Sequence, residues 1–212
     1  MSDERSTISG IYGALAKLAL GVAPIVAACA AWAAVVAVDV VVFGTRCVEN
    51  SPVEWTQFAL VSAVGALMAL KAVQERRGRA AFVLASAFFF DMAIREMDGF
   101  LDIFLWHGSW SVLVAAVTAA AFAAVFAFRW QGTVTEGLYA IRSSRSFGLL
   151  ATGLSVILAV SRIMGMKFLW KAIGCGAELS PAKRMVEECL ELFGYCLVFI
   201  WACEMLRNRE SR

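Results

Sequence analysis

The chain reads as an all-α, polytopic transmembrane helix bundle of about six spans, with both termini on the inner side. Three observations predict this. Apolar residues make up 61% of the 212 and charged residues only 17%, against about 45–50% and about 25% in a soluble domain. The excess sits in runs long enough to cross a hydrocarbon core, which takes roughly 20 apolar residues. Those runs are continuous and rich in Ala and Leu rather than alternating, which speaks for helices over barrel strands.

The spans follow in order along one integral membrane domain covering residues 1–212. The first, 18–43, is uncharged as far as Val38, and its apolar character runs on past Asp39 to Phe43. The second covers 54–71. The third, 80–97, is interrupted by Asp91 and turns polar from Arg95. The fourth, 110–128, carries no charge and is the cleanest. The fifth, 146–165, resumes its apolar character after Arg162, and the sixth, 188–206, has Glu191 and Glu204 near its ends. The first run is too long for a cleaved signal peptide, and its flank mixes Asp3 and Glu4 with Arg5. The run Val26, Ala27, Ala28, Cys29 has the look of a lipoprotein cleavage site, but the residues after Cys29 stay apolar, so it reads as coincidence.

Orientation follows from Lys and Arg. With the N-terminus inside, twelve of the 19 basic residues fall on inner segments and seven on outer ones. The 74–79 turn, with Arg76, Arg77 and Arg79, is the strongest anchor. An inner-membrane location with N-in and C-in is the expectation.

Several function classes are excluded. A net charge of +2 offers no basic face for nucleic acid. No P-loop, GxGxxG or HExxH occurs, and Ser155 lacks the second glycine of a GxSxG elbow. One histidine rules out bis-His haem ligation within the chain, and six cysteines without CxxC spacing make no zinc or redox motif. Cys189, Cys196 and Cys203 recur every seven residues, as small residues at a helix–helix contact would. Cys47 and Cys175 both fall outside, where a disulfide is permitted, although nothing in the spacing brings them together. His107 reads as an interfacial residue, with a base or single metal ligand as the alternative. Trp55, Trp106, Trp110, Trp130 and Trp170 sit at helix ends, as an aromatic belt requires. Gly21, Gly65 and the Ala-rich 115–124 stretch invite close helix packing.

The acidic residues are the most informative. Eleven of 17 fall at outer helix ends or in outer loops, several at or inside the apolar boundary, where an ionised carboxylate is costly unless paired or wetted. Asp91, Arg95, Asp98 and Asp102 are spaced i, i+4, i+7, i+11, one stripe of a continuous helix. Arg184, Glu188, Glu191 and Tyr195 repeat that spacing. Glu54 and Gln57 share a face, and Arg162 has Ser155 two turns behind it. If these faces converge they line one outer-facing cavity, with Glu54, Gln57, Asp91, Arg95, Asp98, Arg162, Glu188, Glu191 and Tyr195 as the candidate binding residues. The plainer alternatives are solvated ion pairs at helix ends for Asp98, Asp102, Glu178, Lys183, Arg184 and Glu187, and register-fixing buried pairs for the deeper groups.

Three readings follow. The cavity binds or transports a small cation or a polar ligand such as a lipid headgroup. It is a metal-assisted enzyme acting on lipid headgroups, with carboxylates holding Mg²⁺ or Ca²⁺. Or the chain is a non-catalytic subunit that docks a partner or a second copy. No catalytic residue, metal ligand or cofactor is identifiable from the sequence.

Overall fold

The computed structural model describes residues 2–45, 51–172 and 180–207, without the side chains of 2–10, 14, 16–18 and 180. Cys47, Cys175 and Glu178 lie outside the described residues. The chain is 88% helix, with no strand among the described residues, which decides for helices. In order come α1 (Ser2–Ala37) with a π-helical extension Val38–Phe43, α2 (Pro52–Gln74), α3 (Arg79–Glu96), α4 (Asp98–Phe104) and α5 (Ser109–Ala127). Then follow α6 (Val134–Arg142), α7 (Phe147–Ser155), a π-helical Val156–Val160, α8 (Ser161–Met164), α9 (Lys167–Ala172) and α10 (Ser180–Arg207).

Among the described residues five helices are long and apolar enough to cross a membrane: Ala19–Phe43, Pro52–Gln74, Ser109–Ala127, the continuous rod Phe147–Met164, and Pro181–Arg207. The third apolar run forms α3, whose 18 residues include Arg79, Asp91, Arg95 and Glu96. It packs between α2 and α5.

The bundle is built around α10, which touches α1, α2 and α7. Its face of Tyr195, Val198, Trp201, Ala202 and Met205 meets Val61, Val64 and Met68 of α2, Phe82 and Phe89 of α3, and Leu150 and Ile157 of the α7 rod. Fully burying side chains of this size stabilises by roughly 1.5–3 kcal/mol each where the alternative is water. In lipid, tight packing and interhelical hydrogen bonds do that work instead. Trp201 is 1% exposed, and its Nε1 donates to Ser144 Oγ at 3.4 Å.

Close approach of α7 and α10 depends on two glycines. A Cβ on Gly153 would lie 2.8 Å from the Gly194 carbonyl oxygen, and one on Gly194 would lie 2.9 Å from that of Gly153. At the opposite end Gly78, with φ +78°, turns the chain from α2 into α3, and a Cβ there would lie 2.5 Å from the Gly137 Cα. Gly65 lies under the Phe90 ring, as expected of a packing glycine. Gly21 does not: a Cβ there meets nothing within 4 Å, because this part of α1 stands away from its neighbours. Most of the 115–124 stretch likewise faces outward, and only Ala121 of it is buried. Its alanines suit a lipid-exposed face more than a packed one.

The first span is fastened near its C-terminal end. Asp39, 0% exposed, accepts from Thr45 Oγ1 at 2.7 Å and from the Val53 amide at 3.3 Å. The latter is one of the unpaired donors at the start of α2, where Ser51 Oγ caps the Glu54 amide and Pro52 occupies the first turn. A buried carboxylate at a helix N-terminus meets both the free amides and the positive end of the dipole. Trp32 Nε1 donates to the Cys189 carbonyl at 2.8 Å, and Ala28 packs in one cluster with Cys196. The cysteine stripe of α10 therefore faces α1 at Cys189 and Cys196, while Cys203 is exposed.

Candidate functional site

At the end of the bundle where α3 stops and α10 begins lies a cavity of about 260 Å³. Its wall is made of Glu54 of α2, Arg95, Glu96 and Asp98 around the α3–α4 junction, Arg162 of α8, and Lys183, Arg184, Glu187, Glu188 and Glu191 of α10. Every lining residue is ionisable. Six carboxylates face four cationic groups, so the wall carries more acid than base.

The wall is ordered by pairing. Arg162 Nη2 lies 2.6 Å from Glu191 Oε1, and Arg162 Nη1 lies 3.4 Å from Glu187 Oε1. Lys183 Nζ bridges Glu187 Oε2 at 3.3 Å and the Gly165 carbonyl at 2.9 Å. Ser161 Oγ donates to Glu191 Oε1 at 3.0 Å. Glu191 is 3% exposed, and an ion at that depth persists only when its lone pairs are met in this way.

The floor is made by two residues from the candidate set that do not line the cavity themselves. Tyr195 donates to Glu96 Oε1 at 2.6 Å. Gln57, 0% exposed, donates through Nε2 to the Glu188 carbonyl at 2.9 Å and to Glu188 Oε2 at 3.2 Å. Its Oε1 finds no hydrogen-bond partner among the described residues. A buried acceptor left so is costly, and it lies directly beneath a carboxylate of the wall.

Of the nine candidates, Glu54, Arg95, Asp98, Arg162, Glu188 and Glu191 line the cavity, and Gln57 and Tyr195 hold it from below. Asp91 faces elsewhere. Its Oδ2 accepts from Thr118 Oγ1 of α5 at 2.5 Å, and its Oδ1 is buried without a partner among the described residues. The expected four-residue stripe fails at Asp102 because α3 ends at Glu96 and the chain turns at Met97 before α4, while Asp91, one turn from Arg95 on the same helix, is drawn to Thr118. Asp102, on α4, accepts from the Gly108 amide at 3.0 Å and lies 2.6 Å from His107 Nδ1, which makes this pair a structural clasp of the α4–α5 connection. Ser155 does not stand behind Arg162 either. It is exposed and bonds the Ala151 carbonyl. The π-helical Val156–Val160 adds extra residues to the turn, so that Ser161 reaches Glu191 instead.

Arg184, expected beside Arg95 and Arg162 as a donor of the cavity, also lines it, and three lining residues were not expected there: Glu96, Lys183 and Glu187. The signal for two of them was present. Lys183, Glu187 and Glu191 are spaced i, i+4, i+8 on α10, a single face beside the Arg184–Glu188 one. Glu96 sits one position off the α3 stripe and had no such signal.

Among the described residues no group of three or more His, Cys, Asp or Glu side chains is placed to hold a metal ion. The carboxylates are spread around the wall rather than gathered on one point. What the arrangement can do chemically is attract and orient a positively charged group. Among the described residues the chain is helical, with five helices long and apolar enough to cross a membrane and a wholly ionisable cavity wall at a bundle end. No protein-family model, curated protein or solved structure matches it.

Proposed function

We propose that the chain is a six-span protein of the inner membrane, N-in and C-in, whose outer-facing cavity binds a small cation. The surplus of carboxylates over cationic groups on a wall with no apolar member carries this reading. Glu96 and Glu188, whose side chains bond the neutral Tyr195 and Gln57, are the groups that receive the cation, while Glu187 and Glu191 pair with Arg162 and Lys183. The orphaned Gln57 Oε1 adds a neutral acceptor below them.

In this reading α3 is the sixth span. Support comes from its position between α2 and α5 and from Asp91, which bonds Thr118 of the neighbouring helix instead of water. Beneath the cavity the bundle is closed by Val61, Val64, Phe89, Ile157 and Val198, all 3% exposed or less. Such a layer favours binding from the outside over a continuous pore.

The test is cation-dependent thermal unfolding of the purified protein in detergent, with Na⁺, Mg²⁺, Ca²⁺ and methylammonium as probes. A ligand at about one hundred times its Kd stabilises by about 2.7 kcal/mol. At least one probe raises the unfolding temperature of the wild type, and Glu96→Gln and Glu188→Gln each remove that rise. No response to any probe, or an undiminished response in both variants, overturns the reading.

A further inference from the structure

Below Ala28 the first span diverges from the bundle, and a second, larger cavity of about 700 Å³ opens between α1, α7 and α10. Its long wall is apolar, made by Pro24 and Ile25 of α1, Leu149 of α7, and Phe193 and Leu197 of α10. One end carries all of its charged residues, Arg145, Glu204 and Arg207, together with Ser146, and Thr152 is the other polar side chain of the lining. Ser146 is 6% exposed, and its Oγ has no hydrogen-bond partner among the described residues. Two guanidinium groups, one carboxylate and an unused hydroxyl therefore line one mouth of the trough, which keeps a surplus of one positive charge.

We propose that this trough holds one anionic phospholipid, its phosphate at Arg145, Arg207 and Ser146 and an acyl chain lying along α10. Dimensions and charge both point to that occupant. Phe193 and Arg207 lie about 21 Å apart along the helix, at a rise of roughly 1.5 Å per residue. That matches one leaflet of a bilayer roughly 40–45 Å thick with its headgroups. A small soluble anion would leave the apolar wall unused, and a neighbouring helix would leave the two arginines facing hydrocarbon. A phosphodiester with an attached hydrocarbon chain satisfies both ends, and basic pockets between spans are where anionic headgroups dock. Guanidinium groups offer the paired donors that phosphate oxygens accept. In the orientation proposed above, the polar mouth faces the cytoplasmic leaflet. The site stands apart from the charged cavity and does not depend on what that cavity binds.

Native mass spectrometry of the full chain in mild detergent tests it, with phosphatidylglycerol and phosphatidylcholine of matched chains added separately. The wild type retains one phosphatidylglycerol per chain with at least about tenfold preference, given that each basic group near an anionic headgroup contributes several-fold. The double substitution Arg145→Gln and Arg207→Gln removes the preference. Gly21→Phe and Gly148→Phe prevent retention of either lipid, since a Cβ at both positions points into open space with no atom within 4 Å. The two blocking positions lie on separate helices, α1 and α7. Equal retention of the two lipids by the wild type overturns the proposal. So does phosphatidylglycerol retention that survives both glycine variants, or a dimer that these variants dissociate, which would give the trough to a second copy.

Discussion

Tyr195 donates its hydroxyl to Glu96 Oε1 across 2.6 Å, joining the last residue of α3 to α10 two turns beyond Glu188. Ninety-nine residues separate the two in sequence, so the bond joins elements far apart along the chain. It holds one carboxylate of the charged wall in place and gives the buried phenol its acceptor. Tyr195→Phe removes the bond while keeping the ring. A side-chain hydrogen bond contributes about 0.5–1.5 kcal/mol, and a loss of that size is expected in chemical unfolding of the detergent-solubilised protein. An unchanged unfolding curve would mean that Glu96 is held by other means.

Arg162 and Glu191 form the deepest ion pair of the wall, at 2.6 Å. Replacing Arg162 by Met leaves a carboxylate that is only 3% exposed with Ser161 as its remaining side-chain donor. Breaking a buried pair from one side costs about 3–5 kcal/mol. The low end applies, because the Arg162 side chain keeps 40% of its surface. The double variant Arg162→Met with Glu191→Met recovers most of that loss. Equal destabilisation of the single and double variants would show that packing, not charge, dominates there.

Gly153 and Gly194 set the distance between α7 and α10. Gly153→Ala places a methyl 2.8 Å from a backbone carbonyl oxygen, a group that moves only with its helix. Overpacking of this kind costs roughly 1–3 kcal/mol. Gly21→Ala, with open space around it, is neutral or stabilising by up to about 1 kcal/mol from helix propensity. Melting temperatures of the two variants therefore move in opposite directions or differ clearly in size.

Asp102 belongs to the α4–α5 connection, outside the spans. The hydrogen bond from His107, helped by the Gly108 amide, holds its carboxyl below the usual carboxylate range. A lowered folded value means that the clasp contributes fully above the ordinary carboxylate pKa of about 3.9. It is lost as pH falls through the lower folded value. The ¹³C carboxyl shift of Asp102 should titrate below that of an exposed aspartate, and His107→Ala should bring it back up. Identical titration in both proteins would remove the clasp.

Topology has its own readout. With native cysteines replaced by serine, Lys167→Cys reacts with an impermeant maleimide in intact cells. Arg77→Cys reacts only after the inner membrane is opened. The reverse pattern would invert the orientation and place the charged cavity on the cytoplasmic side.

Much of the architecture was legible because continuous apolar length is a one-dimensional property. A run such as 110–128 has few alternatives to a helix once water is excluded. The charged wall was partly legible for a related reason. Arg184, Glu188, Glu191 and Tyr195 lie on one uninterrupted helix, so 3.6-residue periodicity predicts their common face. The same arithmetic failed at Asp91, Asp102 and Ser155. Asp91 is drawn to Thr118 of α5, between Arg95 and Asp102 the helix stops at Met97, and after Ser155 a π-helical turn changes the register. Neither break carries a glycine or proline at its centre to announce it.

By itself, then, the amino-acid order determined that the chain is helical, apolar enough for a membrane, and supplied with acid at one set of helix ends. Only the tertiary structure decided that Glu96 joins the charged wall, that Asp91 leaves it for Thr118, and that α1 parts from α7 and α10 to open the trough. The reason is that composition and period act within a helix. Which faces of different helices meet depends on small local choices, two glycines at one crossing and a wide turn at another, that matter only once the helices are packed.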